Sequence, residues 1–588
     1  MTAFAQRLDA FFAELFRLDP VRATDVGMHD HDGRWPDLTE AGRQERLAFA
    51  DRWSAELSAV SAAGLDLDEQ VDRDLLLLEL DALRFAETDL REDAWDPLGW
   101  VYLLGDGFFP LLAREFAPLG DRLASVADRC EGLPAVVDAA RAALVGLPDR
   151  PVSRLHAETA LKQLPGVADL VDEALAAARD GASEPAVAAV RPRLEASAAG
   201  AKAALTAFET HLRDAVLPAS DGEGRLGARL FAGKLRHTLK IADPSPDRVL
   251  ARAEREYAAV RAEMIRLARS LWPTWCPDRA APSDDGILVR GVLDAIATQH
   301  PAEDDLLRAC RAELARIEAF CREADLIGLP DEPLDIRWTP KFLAAFGGAM
   351  LIPPGPLDKG QRSFFAITHS PEDWTPEQVE SSLRETNDRM IRLLTIHEAV
   401  PGHYLQGAYA NTCPSLARAA FWSGVYAEGW AVYVTQVMMD VGYGADDPAL
   451  MLSHWKFYLR AVINAIIDAR IHGAAMTEDE AVALMVDGGF QEEAEARNKY
   501  LRARLSSTQL STYFVGSMEH WSIEAERRRR LAAASGDPRA EATVVERDLP
   551  GGLGATPGFV YRAHLEAIVG HSAPPTSLLR RLVLGPSS

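Results

Sequence analysis

Cysteine is scarce: the 588 residues hold five, Cys130, Cys276, Cys310, Cys321 and Cys413, an odd number with no close pair. That excludes a disulfide framework and a cysteine zinc site. Long apolar runs are missing too. No uninterrupted stretch reaches the roughly 20 residues of a membrane span. Met1 to Leu18 alternates Phe and Leu with Arg, Asp and Glu, an amphipathic helix without the continuous apolar core of a signal peptide. A soluble cytoplasmic protein with no membrane partner is expected. Positive charge is in deficit, with 63 Lys and Arg against 88 Asp and Glu and a net charge of −25. No basic face for nucleic acid follows from such a balance. The run Arg527 to Arg530, set beside Glu524 and Glu526, reads as a solvated helix face.

With 48% hydrophobic residues the chain can bury a large core, and its length suggests two lobes. The first two hundred residues are rich in Ala, Leu, Arg and Glu. Stretches such as Val71 to Leu78 carry apolar positions at helical spacing. Pro and Gly punctuate at 147–151 and at Leu164-Pro165-Gly166, and His29-Asp30-His31-Asp32-Gly33, despite its ligand-like residue types, reads as a capping turn. The polar stretch 217–224 is the most linker-like. It divides an N-terminal helical lobe, 1–217, from a second helical lobe, 225–588. Leu334 to Trp338 and Ser363 to Thr368 are short β-branched or aromatic runs and the best strand candidates, and a strand edge near a catalytic site could hold an extended substrate. An irregular tail is expected from Ala532 to Gly558.

Chemistry concentrates at His397-Glu398-Ala399-Val400-Pro401-Gly402-His403. Upstream, Thr375-Pro376-Glu377-Gln378 looks like a cap, so one long amphipathic helix is expected to end at Glu398. Its two histidines are six apart. On an unbroken helix that is about 240° of net rotation and about 9 Å of rise, too far to share an ion. Pro401-Gly402 removes the difficulty if Pro ends the helix and Gly takes a positive φ that turns the chain back. Downstream, Glu428 stands in an apolar helical segment, Tyr426 to Tyr433, where a buried carboxylate must be paired or metal-bound. His397, His403 and Glu428 make the ligand set of a catalytic zinc with an open position. Two histidines and a carboxylate also suit iron or another divalent transition metal.

His-Glu-Ala-Val-Pro-Gly-His followed by Glu-Gly-Trp-Ala-Val-Tyr resembles the signature of a bacterial family catalogued as domain of unknown function 885 and regarded as zinc-metallopeptidase-like. The resemblance extends to 19–24, to Ile467 through His472, and to Gln509 through Gly516. It implies a mainly α, two-lobed metallopeptidase-like fold with a deep central cleft and a small β element near the site. It further implies zinc on His397, His403 and Glu428, Glu398 as general base, and Tyr513 and His472 as stabilisers of an oxyanion. Arg470, Met476 and the residues before Gln509 depart from the family pattern, at positions expected on substrate walls.

The resulting expectation is a zinc-dependent hydrolase of peptides or amide-containing small molecules, a monomer or homodimer. Two other readings stay open. One is a metal-dependent tailoring enzyme acting on a specialised small molecule; the other is a non-catalytic helical binding protein with a degenerate site.

Overall fold

The structure is a computed structural model and describes residues 2–339, 348–371, 374–536, 549–553 and 555–585. The fold is mainly α with one small sheet. No helix among the described residues is long and apolar enough to cross a membrane. The expected irregular tail lies largely outside the described residues, but Ala532 to Ser535 still belong to a helix.

The chain forms two compact units. The first combines Met1–Arg225 with a later segment, Pro353–Ser363. Its N-terminal helix α1 (Ala3–Leu18) is capped by Thr2 and buries Phe4, Phe11, Phe12, Leu15 and Phe16 along one stripe. Three long helices, α2 (Leu119–Ala143), α3 (Arg154–Asp180) and α4 (Pro185–His211), form its bulk. Leu164-Pro165-Gly166, expected to punctuate the chain, lies inside α3 instead. Leu164 and Val167 are both buried, and that burial offsets the backbone hydrogen bond that proline removes.

The His29 turn is a single helical turn, and its imidazole is clamped. Nδ1 lies 3.0 Å from Asp32 Oδ2 and Nε2 lies 2.8 Å from Asp358 Oδ1. The ring stacks on Phe116 at 3.5 Å. Burial disfavours the charged ring, yet the two carboxylates win and raise its pKa to about 9. The returning segment also caps Arg114, whose guanidinium donates to the carbonyl oxygens of Arg362 at 2.6 Å and Pro353 at 2.5 Å.

The second unit combines Leu226–Thr339, Gly348–Ile352 and Phe364–Ser588. It carries a three-stranded sheet of β1 (Leu334–Trp338), β2 (Ala349–Ile352) and β3 (Ser363–Ile367) in the order β1-β3-β2. β2 pairs antiparallel with β3, Ala349 opposite Ile367 and Ile352 opposite Phe364. β3 is therefore central and buried throughout, and it offers no free edge to a substrate.

The single long helix expected before His397 is two helices. Thr375 and Gln378 do form a capping box, but they open a separate helix, Pro376–Glu385. The chain breaks at Thr386, and Asn387 then caps α5 (Asp388–Glu398) by accepting from the amides of Arg389 and Met390. α5 is apolar on two faces. Ile391 joins Phe365 and Ile367 of the sheet, while Met390, Leu393 and Ile396 join a core with Tyr426, Trp430 and Tyr433.

Beyond α5 come α6 (His403–Ala410), α7 (Gly424–Asp440), α8 (Pro448–Ala474), α9 (Glu493–Leu505) and α10 (Ser511–Ser535). α7 and α10 cross with no side chain between them: a Cβ on Gly429 would overlap the Gly516 backbone, and one on Gly516 would overlap the Val425 carbonyl and Gly429. The Arg527 to Arg530 run is not wholly a solvated face. Arg528 is buried and pairs with buried Glu524 at 2.7 Å, because α10 turns that position inward against Phe559.

Gly429→Ala is predicted to destabilise the protein by about 1–3 kcal/mol or more, the range for overpacking a filled interior. Urea unfolding measures it, and a midpoint equal to the parent's would show that the crossing tolerates a methyl group.

Candidate metal centre

His397 lies in the last turn of α5, and Glu398 is its final residue. The Ala399 amide still donates to Thr395 O at 2.9 Å, and the Gly402 amide folds back to Ile396 O at 3.0 Å. The Val400–Pro401 peptide is cis, and α6 starts at His403. From α7, Trp430 Nε1 donates to Pro401 O at 2.9 Å and pins the turn.

The turn brings the six-residue spacing together, though not through a positive φ at Gly402. That residue has φ −76°. Glycine is needed there for space, since a Cβ would overlap the carbonyl oxygens of His397 and Ile396.

His397, His403 and Glu428 each present one ligand atom, all within 4.8 Å of one another. Glu428 Oε2 lies 3.6 Å from His397 Nε2 and 3.4 Å from His403 Nε2. These separations are long for hydrogen bonds. They match ligand atoms around one ion, which at bond lengths of about 2.1 Å stand about 3.4 Å apart in a tetrahedral site. Glu428 Oε2 is also buried with no hydrogen-bond partner, an orphan that a cation would satisfy. The donor set therefore fits a divalent metal.

The electrostatics agree. Burial works against a charge on His403, but the adjacent Glu428 and then Glu398 hold a proton on it up to about 9. Burial also opposes ionised Glu428, and the two imidazoles still keep its carboxyl well below the usual range. Without a metal the cluster is thus an ion pair.

A ligating imidazole is usually oriented by a hydrogen bond from its far nitrogen. His397 Nδ1 is buried and has none. Packing takes that role: the ring meets His403 edge-on at 4.9 Å and Phe457 edge-on at 5.6 Å, and stacks with Tyr513 at 6.4 Å.

Tyr513, on α10, is therefore at the site. Its phenol oxygen accepts from Arg502 Nη2 at 3.1 Å and from Gln509 Nε2 at 3.2 Å. Both lone pairs are used, and the O–H proton has no acceptor among the described residues. Glu398 is buried, and its carboxylate takes no hydrogen bond from the described residues.

His472 does not join the cluster. It follows Phe457 by fifteen positions on α8, about 22 Å along the axis. Its Nε2 donates to Ala503 O at 2.9 Å, its Nδ1 accepts from the Leu226 amide at 3.4 Å, and its ring stacks on Phe231. Both nitrogens are bound to backbone, so its role is to hold the core. Arg470 and Met476, expected on substrate walls, lie at the same end of α8. Arg470 pairs with Glu254 at 2.6 Å, and Met476 is buried.

Sequence reasoning missed Asp468, Arg502 and Phe457. Asp468 is buried and accepts from the Thr508 amide at 3.0 Å, the Ser511 amide at 3.1 Å and Ser511 Oγ at 2.6 Å, tying α8 to the start of α10 and hence to Tyr513. An acidic residue in the apolar run 461–471 was the available signal. Burial raises its pKa to about 6 against those hydrogen bonds.

Gly402→Ala is predicted to lower zinc affinity by at least tenfold, since the Cβ must push the turn away from His397 O. Trp430→Phe, which removes only the bond to Pro401 O, is expected to cost less. Metal titration with parallel circular dichroism measures both; parent-like zinc affinity in Gly402→Ala would refute this account of the turn.

Curated proteins give no match. Among solved structures, a Shewanella oneidensis protein provisionally described as a lipoprotein of unknown function matches at 30% identity and a TM-score of 0.78, covering 99% of this chain and 100% of its own. A Colwellia psychrerythraea protein, also provisionally described as a lipoprotein, has the same fold at 14% identity and a TM-score of 0.73, covering 99% of each chain. The description of the Shewanella protein as a lipoprotein overturns the cytoplasmic placement expected from the N-terminal residues. The family profile described as "Bacterial protein of unknown function (DUF885)" matches residues 20–540, most of the length, and the chain belongs to that family.

Proposed function

We propose that this protein is a metal-dependent hydrolase of amide bonds, with His397, His403 and Glu428 holding one zinc ion. The observation that carries the reading is Glu428 Oε2, a buried carboxylate oxygen without a hydrogen bond, facing two imidazole nitrogens at 3.4 and 3.6 Å. A zinc ion there supplies Lewis acidity and makes a nearby water easier to deprotonate.

Glu398 is the general base. It is adjacent in sequence to His397, and no group of the described residues competes for its carboxylate. It takes a proton from the attacking water and later delivers it to the departing amine. Tyr513 supplies the opposing donor. With its oxygen held by Arg502 and Gln509, its O–H is left to donate to an incoming group, which here is the carbonyl oxygen on which negative charge develops. The Arg502 cation strengthens that donor by drawing density from the phenol. Following its lipoprotein relatives, we place the activity outside the cytoplasm.

Protein purified without added metal is predicted to carry about one equivalent, and Glu428→Gln to lose it. Glu398→Gln keeps size and removes the base, so metal stays while amide hydrolysis falls by a factor on the order of 10² or more. Tyr513→Phe is expected to lose a factor of about 10² to 10³, mostly in kcat. Elemental analysis and steady-state rates measure these; a fully active Glu398→Gln protein would remove the general-base role.

A further inference from the structure

Arg502 projects from α9 to the same place as the Tyr513 phenol. Its Nη2 donates to Gln509 Oε1 at 3.0 Å and to Tyr513 Oη at 3.1 Å, both neutral groups. Among the described residues no carboxylate pairs with it, and Nε and Nη1 have no partner at all. Glu428 and Glu495 reach it only through longer-range attraction.

Two other inward-facing arginines of this unit have close carboxylates. Arg528 has Glu524 at 2.7 Å, and Arg460 has Glu385 at 3.0 Å. A half-buried guanidinium without a counter-ion costs free energy, and its Nη1 and Nε donors are left over beside the metal cluster.

One turn back on α9, the Lys499 ammonium adds to the positive field. It is buried, and its close partner is a neutral oxygen, Gln491 Oε1 at 3.2 Å, with Glu495 at 4.0 Å. Burial and then Arg460 push its pKa down to about 7, so it retains part of its charge near neutrality and gains more when an anion arrives. Two cations without a close, full counter-charge thus stand behind the oxyanion donor.

We propose that the Nη1 side of Arg502 receives the terminal carboxylate of a peptide substrate, so that the site cleaves peptides near their C-terminal end. The proposal rests on the hydrolase reading of the metal cluster. A terminal carboxylate accepts a charge-assisted hydrogen bond from Nη1, the donor left over when Nη2 serves Gln509 and Tyr513, and brings the missing counter-charge. Tyr513 and Arg502 touch, so a carbonyl oxygen on the phenol and a carboxylate on Nη1 are separated by two hydrogen bonds and one guanidinium. One or two residues of peptide span that gap. The same contact couples recognition to chemistry: a bound carboxylate fixes Arg502, which fixes the phenol that polarises the scissile carbonyl.

The test uses the full chain loaded with zinc and two probes, acetyl-Ala-Ala-Phe with a free carboxylate and the same peptide as its C-terminal amide. They are compared for kcat/KM in the parent and for binding by calorimetry in Glu398→Gln, where recognition is read without turnover. The free acid is expected to be favoured at least tenfold in both assays, with the difference in KM. In Arg502→Gln the acid-to-amide ratio should fall to near one, and Arg502→Lys, which keeps the charge, should restore part of it.

Equal treatment of acid and amide by the parent and by Glu398→Gln, including no binding of either at millimolar concentration, overturns the proposal. So does an Arg502→Gln protein that loses rate on both probes but keeps the ratio, because Arg502 would then act only through Tyr513. The comparison in the parent needs no Arg502 variant, so an unfolded substitution leaves the test decisive. If Glu398→Gln prefers the acid while the parent cuts neither probe, the hydrolase reading fails and the anchor stands; equal cleavage of both reverses that outcome.

Discussion

The backbone-to-backbone crossing of α7 and α10 is the constraint on which the site depends. Gly429 follows Glu428, and Gly516 lies one turn beyond Tyr513, so the two helices meet where each contributes a side chain to the cluster or its surround. No pair of larger residues would let these axes approach so closely. Trp430, next along α7, then reaches in the other direction and holds the turn carrying His403. Three successive residues, Glu428, Gly429 and Trp430, thus supply the carboxylate, the close approach and the brace. The motif's residues are therefore explained by packing as much as by chemistry.

Much of the site was legible because its signals are local. A histidine pair broken by Pro-Gly, and an acidic residue in an apolar helix, both have direct physical meaning, and the structure gathers His397, His403 and Glu428 at one point. The same kind of signal marked Asp468 equally well and means something else there: its carboxylate is consumed by capping α10. Sequence alone does not separate an acid left without a hydrogen-bond donor from one satisfied by amides, because the partners come from other parts of the chain. His472 failed as a site residue for the same reason. Its neighbours Leu226 and Ala503 are distant in sequence and engage it through backbone atoms, which leave no trace in residue type.

Other errors were errors of mechanism. The Thr375 cap was read correctly as a helix start, but Asn387 twelve residues later starts another, and a second cap inside an apparently continuous amphipathic pattern carries little weight against the periodicity. Glycine at 402 was expected for its φ and is required for its missing Cβ, two demands that select the same residue. β2 was not foreseen because Ala349-Met350-Leu351-Ile352 has one β-branched residue and reads equally as helix. Arg502 sits in a helix crowded with Glu, Arg and Lys, where any one cation looks solvated.

The clamp on His29 bears on how this protein could have been assembled in evolution. One of its two carboxylates, Asp358, and both carbonyls that cap Arg114 at the distances given above belong to a segment encoded after more than a hundred residues of the second unit. A gene fragment ending at the unit boundary would leave one cation half-neutralised and a buried guanidinium short of acceptors. The N-terminal unit is thus not a module that recombination could have transferred alone, and the two units are expected to have been inherited and lost together.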